Sequence, residues 1–193
     1  MFTGQNDLFL RLWVEPSIKN IQFNIHDKNQ VLDGGYVPIN KGGDFRRWYG
    51  NNDFVMRFDN KYYSIIEKNK GHRSPQFYFK PCVEWTKITS GKLALRYSEG
   101  GFVNNDASMA ILSEDNVLLK YILGMTSTKV SQLCVSALNE SMNYTAGDIS
   151  RIPILKYEKY DLTIALVENC IMLSKLDWDS QEISWNYAKH QLV

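Results

Sequence analysis

Up to residue 105 the apolar runs of this chain are short, and each is closed by glycine, proline or an Asn/Asp turn residue. Beyond that point the runs lengthen and take helical spacing. Residues 9–14 read as a strand ended by Glu15-Pro16, and Asp33-Gly34-Gly35 is a turn signal before a strand over 36–39. Residues 54–58 read as a further strand that turns at Asp59-Asn60, with 62–66 fitting either strand or helix. Short strands are expected at 77–79, 83–86 and 93–97, with Thr89-Ser90-Gly91-Lys92 between the last two, and at Phe102-Val103.

The later segments at 115–124 and 127–138 have helical spacing. Val117, Leu118, Tyr121 and Ile122 share one face of the first, and Val130, Leu133, Cys134 and Ala137 one face of the second. Ser113 is the expected N-cap and Gly124 the expected stop. Residues 148–154 return the chain to the core, and 160–176 form a long amphipathic helix. Strands first and helices later predict an α+β class, with a mixed or antiparallel sheet core in the first two thirds and helices in the last third.

A 44% apolar fraction suffices for a sizeable core. No apolar run reaches the length of a membrane span, and the N-terminal residues lack the basic and apolar segments of a signal peptide. Three widely spaced cysteines, Cys82, Cys134 and Cys170, read as buried thiols of a reducing cytoplasm. The net charge of +1 conceals an uneven distribution. Residues 41–101 carry 12 Lys/Arg against 6 Asp/Glu, whereas 102–193 carry 7 against 11. The middle of the chain is therefore the place to look for a polyanion-binding face.

Within it, Lys41-Gly42-Gly43-Asp44-Phe45-Arg46-Arg47-Trp48-Tyr49-Gly50-Asn51-Asn52 combines three cations, three aromatics and three glycines. Paired arginines are rarely buried without partners, and guanidinium forks, aromatic faces and glycine backbone suit phosphates and bases. The bland alternative is a solvated or bracing surface: Trp48 and Tyr49 fit packing better than base stacking, and Asp44 is placed to pair with Arg46 or Arg47. Residues 68–75 read as an exposed basic loop in which His72 is passive.

Other chemistries lack their motifs. There is no phosphate loop, dinucleotide fingerprint or nucleophile elbow, and His26, His72 and His190 stand apart from any metal-ligand spacing. Asp53 and Asp59-Asn60-Lys61 are the best nuclease-like arrangement, although Asp59-Asn60 is better explained by turn chemistry.

Several blocks resemble, in order, the target-recognition region of PglX-type adenine-specific DNA methyltransferases of the BREX phage-exclusion system, relatives of type IIG restriction–modification enzymes. They are Thr3-Gly4-Gln5-Asn6-Asp7-Leu8-Phe9-Leu10-Arg11, the 41–52 block, residues 78–92, residues 143–153 and residues 178–185. The chain departs from the family in Asn186-Tyr187, where Asp-Phe is more usual. It also lacks the family's S-adenosylmethionine loop and Asn-Pro-Pro-Tyr motif. The resemblance implies a non-catalytic fragment with a specificity fold of the TaqI type. Residues 1–156 would form a DNA target-recognition domain, and 157–193 a helix and tail leading to missing parts of the parent. It implies double-stranded DNA, the parent's methyltransferase domain and other BREX components as partners, with no membrane. No cofactor is expected in this fragment and S-adenosylmethionine in the parent's missing domain.

The expected DNA contacts are Lys41, Arg46, Arg47, Asn51 and Asn52 from the first block, then Arg73, Lys80, Lys87, Ser90, Lys92 and Arg96. Because proteins reading different targets share the 41–52 block, it should grip backbone or brace the fold, leaving discrimination to the loops around Arg73 and 87–92. The alternative is a protein-interaction module built on the 160–176 helix with Trp178 and Trp185. A metal-dependent nuclease is the more distant one.

Overall fold

A computed structural model describes residues 1, 3–139, 141–155 and 160–189. In chain order the elements are α1 (Asn6–Phe9), β1 (Leu10–Leu12), β2 (Tyr36–Asn40), β3 (Phe54–Arg57), α2 (Asn60–Lys68), β4 (Cys82–Thr86), β5 (Leu95–Ser98), β6 (Val103–Asn104) and β7 (Ser108–Leu112). The helices α3 (Asn116–Thr126), α4 (Lys129–Leu138), α5 (Ala146–Ser150) and α6 (Asp161–Asp179) follow. The fold is α+β, as the pattern of runs predicts.

Two sheets divide the strands. The first has the order β1-β3-β2-β6, antiparallel except for the parallel β2–β6 pair; the second, β5-β4-β7, is wholly antiparallel. The first sheet buries Val37, Ile39, Met56 and Val103 with Phe9, Phe58, Phe79 and Ile66 of α2. The second sends Val83, Trp85 and Leu95 against Leu119 and Leu123 of α3, Val135 of α4 and Val167, Ile171 and Trp178 of α6. Helix α6 thus shares a core with the sheet. The division expected between residues 156 and 157 falls on 156–159, outside the described residues.

Alternation along β4 and β5 turns the other face of the second sheet toward the first. That face carries Cys82, Glu84, Arg96 and Ser98. The seam is polar and hydrogen-bonded: the Asn40 amide of β2 donates to Ser98 Oγ at 2.9 Å and to Asn104 Oδ1 at 2.8 Å.

Several local expectations are corrected. Residues 9–14 hold the end of α1 and only a three-residue strand. Asp59-Asn60 is not a hairpin turn. Asp59 caps α2, its Oδ1 accepting from Tyr62 N at 3.0 Å while Oδ2 accepts from Gly34 N at 2.9 Å. Residues 77–79 form no strand, because Pro75 opens a single 3-10 turn over Pro75–Phe77. Strand β7 was not anticipated; its Met109 and Ile111 are only half-buried, so its apolar signal is weak.

The helices turn unexpected faces inward. Helix α3 buries Leu119, Tyr121, Leu123 and Thr126 and exposes Val117 and Leu118. Helix α4 buries Ser131 and Val135 and exposes Val130 and Leu133. Apolar residues cover so much of the α3 circumference that periodicity selects no face; docking to the sheet and to α6 does. Gly124 lies inside α3 and does not end it. A Cβ there would sit 2.7 Å from Val167 Cγ2 and 3.3 Å from Thr163 Cγ2 of α6, so the absent side chain permits the close crossing. The cap of α3 is Asp115, whose Oδ1 accepts from Val117 N and Leu118 N. Ser113 Oγ accepts from Asp115 N.

Gly124→Val should therefore lower stability by about 1–3 kcal/mol through overpacking against α6, seen as an earlier denaturant midpoint with unchanged slope. Of the three free cysteines, Cys82 is buried, and Cys134 and Cys170 are half-buried. Burial pushes the Cys82 thiol up to about 12. A thiol-reactive disulfide should modify Cys82 last, at a rate that rises with denaturant, while Cys134 and Cys170 react in the native protein.

Candidate nucleic-acid interface

The 41–52 block forms the loop between β2 and β3 and is stitched along the free edge of β5. Trp48 N donates to Leu95 O at 3.0 Å, and Tyr97 N donates to Trp48 O at 2.9 Å. This docking holds Trp48 at φ 75 and Asn51 at φ 64, both left-handed, a conformation non-glycine residues adopt only when their surroundings enforce it. Gly50 has φ 118, and a Cβ there would lie 2.8 Å from Arg46 Cδ and 3.0 Å from Trp178 Cε3. Glycine is required at the point where the loop crosses the end of α6.

Half of the cations and amides expected to touch DNA brace this loop. Arg96 is the clearest correction. Its side chain is 1% exposed, and Nε donates to Glu84 Oε1 at 2.7 Å. Its other nitrogens donate to Arg46 O and Thr86 Oγ1, both at 3.3 Å, and Ser108 Oγ donates to the second Glu84 oxygen. No surface remains for a phosphate. Asn51 and Asn52 are likewise buried, and Asn51 Nδ2 donates to Asp44 O at 2.8 Å. Arg46 lies 4.7 Å over the Trp178 ring and donates to Asp177 Oδ2 at 3.3 Å and Gln181 Oε1 at 3.1 Å, so its carboxylate partner is Asp177 and not Asp44. Lys41 covers the Phe54 ring at 3.9 Å.

The remaining expected residues diverge. Lys80 pairs with Glu114 at 2.6 Å and Lys87 with Asp106 at 3.9 Å. Arg73 is exposed and donates to Lys70 O and His72 O. His72 is half-buried and not exposed. Its ring stacks on Tyr63 at 4.1 Å and its Nδ1 meets the Tyr78 hydroxyl at 2.9 Å. Ser90 is exposed near the tip of the β4–β5 loop.

Arg47 and Lys92 do come together. They border one cleft of about 540 Å³ with Lys129, the first residue of α4. Leu93, Leu133, Val135 and Tyr144 supply apolar and aromatic lining, Gln132 and Ser136 add amide and hydroxyl groups, and no carboxylate lines it. Among the described residues none of these three cations makes an ion pair. Ser127 Oγ, at the same cleft, is the single buried side-chain polar atom without a hydrogen-bond partner among them. Cations from three separate elements over an apolar lining suit an anion with a flat apolar part. Phe45, next to Arg46-Arg47, is 53% exposed, whereas Tyr49 is buried and Trp48 half-buried. The exposed aromatic of the block is thus Phe45.

Sequence reasoning missed Lys129. A signal existed: a lysine at the first position of a helix opposes the macrodipole by about 0.3–1 kcal/mol, a local cost that asks for a compensating role. Two other readings are narrowed. Asp53 and Asp59 lie at opposite ends of β3, too far apart to share one ion, and no three His, Cys, Asp or Glu side chains converge among the described residues. Trp178 is buried in the second core and is not free to dock a partner, whereas Trp185 is half-buried, packing on Phe23 at 5.1 Å and Phe102 at 5.9 Å. No described helix is long and apolar enough to cross a membrane.

A β2–β3 loop braced on a sheet edge, beside a cationic cleft that no carboxylate lines, is thus the site this α+β framework presents. The chain matches no family model. It is 29% identical over 192 residues to the adenine-specific methyltransferase BrxX of Escherichia coli O9:H4 (strain HS), covering 98% of this chain and 15% of that protein. It is 30% identical over 201 residues to the adenine-specific methyltransferase PglX of Lacticaseibacillus casei (strain Zhang), covering all of this chain and 17% of that protein. The chain is thus homologous from end to end to one segment of the PglX and BrxX adenine-specific methyltransferases, and it spans about a sixth of their length.

Arg96→Leu should cost about 3–5 kcal/mol, because it leaves the buried Glu84 side chain in the seam without its partner. Pairing it with Glu84→Leu should recover part of that loss in denaturant melts.

Proposed function

We propose that this chain is a DNA-recognition segment of a BREX-type adenine-specific methyltransferase, binding duplex DNA while methyl transfer from S-adenosylmethionine is carried out by other parts of the longer protein. The observation that carries this reading is the meeting of Arg47, Lys92 and Lys129, none with a carboxylate partner among the described residues, in one carboxylate-free cleft. Homology to adenine-specific methyltransferases supports it.

In this reading the three cations hold backbone phosphates, and the braced loop fixes their spacing. Arg46, Arg96, Asn51 and Asn52 act one step removed, as positioning residues that keep Arg47 and Phe45 presented. Base discrimination falls to the rest of the β4–β5 loop around Ser90, where side chains are exposed and backbone is irregular.

Titrating labelled random-sequence duplex over a range of salt tests the proposal. Arg47→Gln, Lys92→Gln and Lys129→Gln should each weaken binding and reduce the slope of log K against log salt by about 0.9. Lys87→Gln, already paired with Asp106, should change it little. Binding without salt dependence, or a triple variant that binds as the parent does, would sink the cleft as the DNA site.

A further inference from the structure

Helix α6 is apolar on two opposite faces. Val167, Ile171 and Trp178 point into the core of the second sheet. Directly opposite, Leu162, Leu166, Asn169, Leu173 and Leu176 follow one another at spacings of four, three, four and three, the repeat of a helix–helix seam. The four leucines are 74%, 57%, 61% and 55% exposed, and Asn169 is exposed as well. No charged residue falls in the stripe, which runs most of the 19-residue helix, about 28 Å. Scattered surface leucines need no explanation, but a continuous straight row of them does.

The stripe is centred on its one polar member. Leu162 and Leu176 stand seven residues either side of Asn169, and Leu166 and Leu173 three and four. We propose that this face pairs with the same face of a second copy of the chain, antiparallel about a two-fold axis through Asn169. Leu162 then meets Leu176 of the second copy, Leu166 meets Leu173, and the two Asn169 amides donate to and accept from each other.

A different occupant would have to supply its own polar group opposite Asn169 or leave the amide unsatisfied. A two-fold copy supplies it automatically, which is the logic of an isologous contact. Antiparallel alignment also sets the helix dipoles head to tail. Together with Met172, 52% exposed beside the stripe, two copies remove on the order of 1,000 Å² from water, the threshold of a specific interface. The dimer is accordingly weak and concentration-dependent. The pairing does not rest on DNA binding.

Sedimentation velocity of the 193-residue chain through a micromolar dilution series is the test. The expected result is a reversible monomer–dimer equilibrium. Leu166→Glu with Leu173→Glu should weaken it by roughly a hundredfold or more. Because both side chains point away from the core, circular dichroism and melting of that variant at low concentration should match the parent. Asn169→Cys should form a disulfide-linked dimer under mild oxidation. A chain that stays monomeric throughout overturns the proposal, as does a dimer that survives the double glutamate variant or an Asn169→Cys protein that never cross-links.

Discussion

The ion pair between Glu84 and Arg96 is the interaction on which the arrangement depends. The two residues stand opposite each other on β4 and β5, on the face of the second sheet that meets the first. Each is buried, and each spends its remaining hydrogen-bonding capacity on a different piece of chain: Glu84 on Ser108 of β7, Arg96 on the Arg46 carbonyl and Thr86. One pair therefore holds three strands in register and attaches the β2–β3 loop. Geometry, more than net energy, is its contribution, since an apolar seam of equal volume would cost less to desolvate.

The β2–β3 loop follows from that attachment. Its conformation, with Trp48 and Asn51 left-handed, is stable only because the β5 edge supplies backbone partners and α6 supplies Trp178 and Asp177. The loop is the mechanical link between the two cores. Phe54 at its end packs on the first, and Tyr49 enters the second. An arginine-rich motif that looks like a ligand grip is mostly scaffold. The surface it presents is small: Phe45, Arg47 and the cleft that Arg47 shares with Lys92 and Lys129.

The sequence by itself determined the class of fold, the positions of most strands and helices, and the importance of residues 41–52. Those follow from local physics: short runs closed by turn residues make strands, spacing makes helices, and a dense charged and aromatic block demands specific partners. It could not tell a hairpin turn from a helix cap at Asp59, since the same carboxylate suits both. Nor could it choose the buried faces of α3 and α4, where apolar residues lie on more than one side. Only tertiary structure decided which cations are free. Arg47 and Arg96 are indistinguishable as letters; one lines an open cleft and the other is sealed against Glu84, because sheet pairing brings a carboxylate twelve residues away into contact with Arg96 alone. Lys129 joins the cleft for the same reason. Its neighbours there come from distant parts of the chain, and no local rule brings them together.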